Sequence, residues 1–288
     1  MGKTVVSSMI ARQYSNIIIL SPLRYLTQQL LSTMTKLLQH TYEPILISCD
    51  GKRYMKCIKK HIGKKNIFAS TYDSCDVVLK ILSSLTDVFI IIDEFHNLSD
   101  ANITKPSNDM YNILNTNHQK MYMSATPIMN VRHVDIYTYS WLEAIKNGYI
   151  CDFSIIIPED NEEIMLFEAL LNKLSDTKKN RKSILKIYFM LKGMFFNGNR
   201  KCICYATSIA QAELYETILL WMTCFMDIEI YYNTITCMTS KSDREIYINK
   251  FRTSRTMSVL VNVHVLDEGV DIPECDTVFI TKPSDDIN

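Results

Sequence analysis

The chain has 288 residues, enough for two domains of ordinary size, and 47% of them are hydrophobic, so it can bury a substantial core. The 31 basic and 31 acidic residues give no net charge, which excludes a protein that is basic over its whole surface. Any contact with nucleic acid must therefore come from a local groove. No apolar run approaches the length of a membrane span, and the start lacks the pattern of a secretion signal. We therefore expect an intracellular, cytoplasmic protein without a membrane partner.

The first element in the chain is a short phosphate-binding signal. Gly2, Lys3 and Thr4 fit the last three positions of the loop G-x-x-x-x-G-K-[ST], in which amides and a lysine bind phosphates and a hydroxyl binds Mg²⁺. The first glycine of that loop and the strand before it are missing. Taken alone, a Gly-Lys-Thr tripeptide is more often chance than function.

Strand-like apolar runs then alternate with helical stretches. Leu23–Gln39 has the apolar spacing of a helix. The predicted strands of this half are Ile17–Leu20, Ile45–Ser48, Ile67–Ser70, Val88–Ile92 and Lys120–Met123. Strands that alternate with helices predict a parallel sheet covered by helices.

Two acidic residues mark the end of the fourth predicted strand. Asp93 and Glu94 follow Phe89–Ile92 directly, and an α/β sheet places its ligand at the carboxyl ends of its strands. One carboxylate can hold Mg²⁺ while the other activates the attacking water. Together with Lys3, this pair predicts a nucleotide-driven enzyme; an acidic strand end without function is the alternative.

The second half repeats the alternation after a boundary near residue 150. Asn161–Phe196 has a helical, amphipathic pattern. The elements predicted after it are Lys201–Tyr205, Ile228–Tyr232, Ser258–Val263 and Thr277–Thr281 as strands, with Ile209–Phe225 and Asp243–Phe251 as helices. The predicted fold class is therefore α/β, with two parallel-sheet domains in tandem.

Nine cysteines are scattered through the chain without a C-x-x-C pair. Cys202 and Cys204 lie two positions apart in a predicted strand, so they point to the same face. We interpret the cysteines as reduced core thiols; a metal site is the alternative.

Read in order, the segments resemble the helicases and translocases of superfamily 2 over nearly the whole chain. The segments that resemble family motifs in the first half are Gly2-Lys3-Thr4, Ser21–Gln29, Ala69–Ser74, the DExH box Asp93-Glu94-Phe95-His96, and Met123-Ser124-Ala125-Thr126-Pro127. Those in the second half are Lys201–Ser208, Val259–Val263 and Leu266–Pro273. Ala144–Phe153 is similar to the interdomain passage of restriction-enzyme motor subunits and large DNA virus helicases, which favours DNA over RNA.

The resemblance implies two RecA-like domains of the P-loop NTPase type, an ATP-binding domain over 1–150 and a helicase C-terminal domain over 151–288. It implies ATP and Mg²⁺ as cofactors, with Lys3, Asp93 and Glu94 in catalytic roles and Thr4 and Asp93 holding the metal. The residues that it assigns to ATP and Mg²⁺ are Gly2, Lys3, Thr4, Asp93, Gly269 and Asp271. His96, Ser124 and Thr126 are expected to couple hydrolysis to domain movement.

Nucleic acid is the implied partner, held mainly by its phosphates. The residues expected to contact it are Arg24, Gln28, Ser70, Thr71, Thr207 and Asn262. For single segments, plainer interpretations exist: a solvated Arg24 at an ordinary helix start, and a helix N-cap at Thr71 or Asp73.

The predicted function is an ATP-dependent helicase or translocase core, from a viral replication or transcription helicase. The chain departs from the family pattern because it stops before the motif VI helix that supplies the arginine finger and begins within the phosphate-binding loop. We therefore expect a chain truncated at both ends and poorly active as an enzyme. The alternatives are a catalytically inactive remnant that binds nucleic acid, and the motor subunit of a restriction-modification system.

Overall fold

The computed structural model describes residues 2–47, 64–125, 135–157, 178–266 and 272–281. The chain divides into two compact units, Met1–Cys151 and Asp152–Asn288. Both units are α/β.

The first unit is built on a parallel five-stranded sheet. Its strands are β1 (Asn16–Ser21), β2 (Glu43–Ile47), β3 (Asn66–Thr71), β4 (Val88–Asp93) and β5 (Gln119–Met123). The strand order is β2-β3-β1-β4-β5, and each neighbouring pair is parallel. The helices are α1 (Lys3–Ala11), α2 (Arg24–Leu37), α3 (Cys75–Leu82), α4 (Asp100–Thr104), α5 (Asp109–Leu114) and α6 (Trp141–Lys146), with 3₁₀ turns at Tyr72–Ser74 and Phe95–Asn97.

Helices cover both faces of this sheet, and the middle residues of the central strands are therefore apolar. In β1, Ile17 and Ile19 pack toward α1 and α2, whereas Ile18 and Leu20 pack toward α3 and α5. All six residues of β1 and of β4 are buried. A strand buried on both faces shows a continuous apolar run rather than alternation, which is the pattern of Phe89–Ile92 in the sequence.

The second unit has a parallel four-stranded sheet. Its strands are β6 (Lys201–Tyr205), β7 (Ile230–Ile235), β8 (Met257–Asn262) and β9 (Thr277–Ile280), in the order β7-β8-β6-β9. Its helices are α7 (Lys178–Phe196), α8 (Ile209–Met226) and α9 (Lys241–Thr253). The predicted fold class, two parallel-sheet α/β domains, is confirmed.

The cysteines of β6 belong to the core of this unit. Cys202 and Cys204 lie on one face of the strand and pack with α7 and α8, while Ile203 on the other face packs with Phe251 of α9. Both thiols are buried and free. Burial raises the pKa of Cys204 to about 12, so this thiol behaves as a small apolar side chain.

Element boundaries differ from the sequence predictions at identifiable places. The strand predicted at Ile228–Tyr232 lies at Ile230–Ile235, because α8 ends in a left-handed Asp227 and the Ile228 amide still bonds to the Thr223 carbonyl. The predicted helix Asn161–Phe196 is described from Lys178 onward, and its earlier part lies outside the described residues.

Within the described residues, no helix is long and apolar enough to cross a membrane.

Candidate active site

The amino-terminal end of α1 presents free amide donors beside a lysine. Gly2 precedes the helix in the left-handed region, with φ 68°, and no side chain caps the helix. A glycine suits this position because of its backbone angle, since a Cβ there would meet no atom within 4 Å. Uncapped amides at a helix amino terminus attract anions, so this end of α1 can bind phosphate oxygens.

The acidic pair lies at the carboxyl end of β4. The strand ends at Asp93, and Glu94 turns the chain in the left-handed region with φ 49° and ψ 49° before the 3₁₀ turn Phe95–Asn97. The Lys3 Nζ donates to Glu94 Oε1 at 3.0 Å. The structure thus brings the lysine of the phosphate-binding signal and the DExH box together, although they are far apart in the sequence.

The residue Asp93 is 9% exposed, and its neighbours shift the pKa of its carboxyl in opposite directions. Burial raises the pKa of Asp93 most, followed by the charge of Glu94; Lys3, the Glu94 amide and His96 lower it, and the net shift is upward. An incoming cation would offset the burial and the repulsion from Glu94. Asp93 and Thr4 supply a carboxylate and a hydroxyl, which are hard oxygen ligands that suit Mg²⁺ shared with phosphates.

His96 connects the DExH box to the end of β5. Its Nδ1 lies 2.8 Å from Ser124 Oγ and 3.4 Å from Glu94 Oε2. The structure therefore joins two of the three residues expected to couple hydrolysis to movement. The third, Thr126, lies outside the described residues, as do Gly269 and Asp271 of the expected ATP site.

The residues expected to bind nucleic acid in the first unit have unequal access. Arg24 and Gln28 are exposed one turn apart on α2. Ser70 is fully buried and its hydroxyl donates to the Thr71 carbonyl. Thr71 is half-buried and makes no cap hydrogen bond to the following turn, so its hydroxyl is the more accessible of the two.

In the second unit, the two residues expected to bind nucleic acid, Thr207 and Asn262, both make hydrogen bonds within the fold. The Thr207 hydroxyl and amide both donate to Gln211 Oε1 at the start of α8. Asn262 is fully buried, and its Oδ1 accepts from the amides of Val265 and Leu266. In this conformation Asn262 shapes the turn after β8 from the inside.

Tyr72 is a site residue that the sequence did not reveal. Its hydroxyl donates to the main-chain carbonyl of Asp93 at 2.5 Å. The contact passes the end of β1, which lies between β3 and β4. No periodicity or motif in the sequence indicates a hydrogen bond between the ends of two strands that are not neighbours in the sheet. Only the position of Tyr72 next to Thr71 could have drawn attention to this residue.

Two known sequence families match this chain. Residues 1–134 match the sequence family described as DEAD/DEAH box helicase, and residues 180–288 match the family described as helicase conserved C-terminal domain. The chain belongs to the superfamily 2 helicases.

The relatives and solved structures that are similar to this chain have low sequence identity to it. A probable helicase of African swine fever virus is 22% identical over 207 residues, which are 67% of this chain and 22% of that protein. A type ISP restriction-modification enzyme, LlaBIII, solved bound to DNA, matches with a TM-score of 0.67 at 17% identity over 97% of this helicase and 23% of that chain. The Escherichia coli DExH-box NTPase HrpB matches with a TM-score of 0.55 at 12% identity over 97% of this helicase and 32% of that chain. This chain thus spans between 22% and 32% of the length of these proteins.

Proposed function

We propose that this helicase core hydrolyses ATP and uses the energy to move along or unwind nucleic acid, with DNA favoured. The observation that carries the proposal is the contact between Lys3 and Glu94 at 3.0 Å, which joins a phosphate-binding lysine to an acidic pair at a strand end. Phosphoryl transfer needs this combination of positioned cations and a group that orients water.

The described side chains divide the chemistry among them. Lys3 and the amides at the start of α1 bind the β- and γ-phosphates. Asp93 and Thr4 would hold Mg²⁺, which would supply charge neutralisation on the phosphates when bound with ATP. Glu94, released from Lys3 by the phosphates, orients the attacking water and accepts its proton.

Nucleic acid would lie at the same edge of the first sheet. Arg24 and Gln28 on the first turns of α2, and Thr71 at the end of β3, present a cation and polar groups there. Contacts of this kind go to phosphates, so binding should tolerate many sequences and weaken with salt.

DNA is favoured because Ala144–Phe153 resembles DNA-dependent motors and because the restriction-modification enzyme of similar fold was solved with DNA. The similarity to a viral probable helicase supports a role in viral replication or transcription. A motor subunit of a restriction-modification system remains the second candidate, since LlaBIII has the same fold at the higher TM-score.

The proposal is tested by titrating a fluorescent ATP analogue with Mg²⁺ into the chain, with and without single-stranded DNA or RNA. We expect saturable nucleotide binding that weakens about 10- to 100-fold in Lys3→Ala, and tighter binding of DNA than of RNA. Nucleic-acid binding without any nucleotide binding would instead establish a non-catalytic binding protein. Single-turnover hydrolysis, measured with the same samples, then separates an active motor from an inactive one.

A further inference from the structure

The carbonyl oxygen of the peptide unit between Asp93 and Glu94 is held by a side chain from the loop after β3. The Tyr72 hydroxyl donates to this oxygen at 2.5 Å. Because a peptide is planar, holding its oxygen restricts the orientation of the whole plane. The orientation of this plane sets the backbone angles on either side, including the left-handed φ of 49° at Glu94.

That conformation is unfavourable for a residue with a side chain, and surrounding contacts must maintain it. It also aims the Glu94 carboxylate at Lys3 and His96, which lie at 3.0 and 3.4 Å. The hydroxyl of Tyr72 therefore acts on the carboxylate of Glu94 without touching it.

Tyr72 is anchored in the first unit through its ring and its hydroxyl. Its ring packs against the core formed by β4 and α3. A tyrosine hydroxyl keeps its proton at neutral pH, so Tyr72 acts as the donor in this hydrogen bond. Tyr72 directly follows Thr71, the accessible residue of the loop that we expect to bind a phosphate.

We propose that Tyr72 is a positioning residue that transmits nucleic-acid binding at Thr71 to the orientation of the Asp93–Glu94 peptide, and so couples nucleic acid to the ATP site. A phosphate drawn to Thr71 shifts the start of the 3₁₀ turn Tyr72–Ser74, and the hydroxyl carries that shift to the carbonyl of Asp93. The inference rests on the proposed function, because it requires both ligands.

The test compares the coupling between two ligands in three proteins. Affinity for a fluorescent ATP analogue with Mg²⁺ is measured with and without saturating single-stranded DNA, in the wild type, in Tyr72→Phe and in Tyr122→Phe. Tyr122→Phe is the matched control, since it removes a hydroxyl from another ring packed against the same core. Coupling between sites in proteins is commonly about 5- to 150-fold.

We expect Tyr72→Phe to reduce the coupling factor to within about twofold of one while each ligand alone binds within about threefold of the wild type. Tyr122→Phe should keep the wild-type coupling. 4-Aminophenylalanine at position 72 retains a hydrogen-bond donor and should restore the coupling. Restored coupling would also show that the loss in Tyr72→Phe does not come from poor folding.

Each other outcome overturns the inference. Wild-type coupling in Tyr72→Phe shows that the hydroxyl does not transmit anything. Parallel loss of both affinities together with a lower melting temperature shows a structural role only. Absence of nucleotide or DNA binding in the wild type refutes the proposed function itself, and the inference with it.

Discussion

The ammonium of Lys3 and the carboxylate of Glu94 lie 3.0 Å apart, so the group proposed to bind the phosphates and the group proposed to orient water are paired with each other. Both side chains are partly exposed, at 31% and 22%, and ion pairs in such positions are worth only about 0–1 kcal/mol. A triphosphate can therefore replace the carboxylate at little cost. Binding of the phosphates would then release Glu94 for catalysis.

Replacing Glu94 with Gln should separate binding from hydrolysis. The amide cannot accept the proton of the attacking water, and general-base catalysis contributes about 10²–10⁴-fold to rates. Nucleotide affinity should stay the same or increase, because Lys3 no longer has an anionic competitor. Single-turnover hydrolysis and analogue binding measure the two effects; a Glu94→Gln protein that hydrolyses ATP at the wild-type rate would remove Glu94 from its assigned role.

Replacing Lys3 with Ala should weaken nucleotide binding itself. The loss should be about 10- to 100-fold, which corresponds to the ~1.5–3 kcal/mol of a hydrogen bond to a charged group. Lys80→Ala is the control, since Lys80 is an exposed lysine of the same unit that pairs with Asp76 within α3. Equal affinities in Lys3→Ala and Lys80→Ala would argue against phosphate binding at the start of α1.

His96 and Ser124 should act as one unit, because His96 Nδ1 lies 2.8 Å from Ser124 Oγ. We expect His96→Ala and Ser124→Ala each to lower the stimulation of hydrolysis by nucleic acid. The double variant should be no worse than the poorer single variant, since either change breaks the same bond. Rates for the four proteins of the cycle decide this; effects that multiply would mean that the two residues work independently.

The core cysteines should resist alkylation in the folded protein. Burial raises the pKa of both Cys75 and Cys204 to about 12, so at pH 8 only about one thiol in 10⁴ is the reactive thiolate. Cys151 and Cys224 are exposed and should react within minutes at that pH. Mass spectrometry after iodoacetamide treatment, with and without urea, identifies the modified positions. Early modification of Cys204 in native protein would contradict the described packing of β6.

The sequence predicted those parts of the fold and site that depend on local pattern. The apolar run Phe89–Ile92 and the acidic residues after it correctly predicted a buried parallel strand. Contacts between distant elements could not be read in the same way. The bond from Tyr72 to Asp93 depends on the order of β3, β1 and β4, which the linear sequence does not contain.

The sequence also did not predict which side chains of a motif point toward solvent and which are buried. Ser70 and Asn262 occupy expected nucleic-acid-binding segments, yet both are fully buried. The small polar side chain of each satisfies backbone groups at a strand end, at the Thr71 carbonyl and at the Val265 and Leu266 amides. A motif identifies the loop, but the local demand for hydrogen bonds decides which of its residues face outward.

The left-handed backbone at Glu94 has a consequence for evolution and engineering. The left-handed conformation costs a residue with a Cβ about 1–2 kcal/mol of folding free energy, whereas glycine adopts it without that cost. Selection for thermal stability alone would favour glycine at position 94 and would abolish the carboxylate. If Glu94 orients the attacking water as proposed, variants that are selected for thermal stability and carry glycine at position 94 should not hydrolyse ATP.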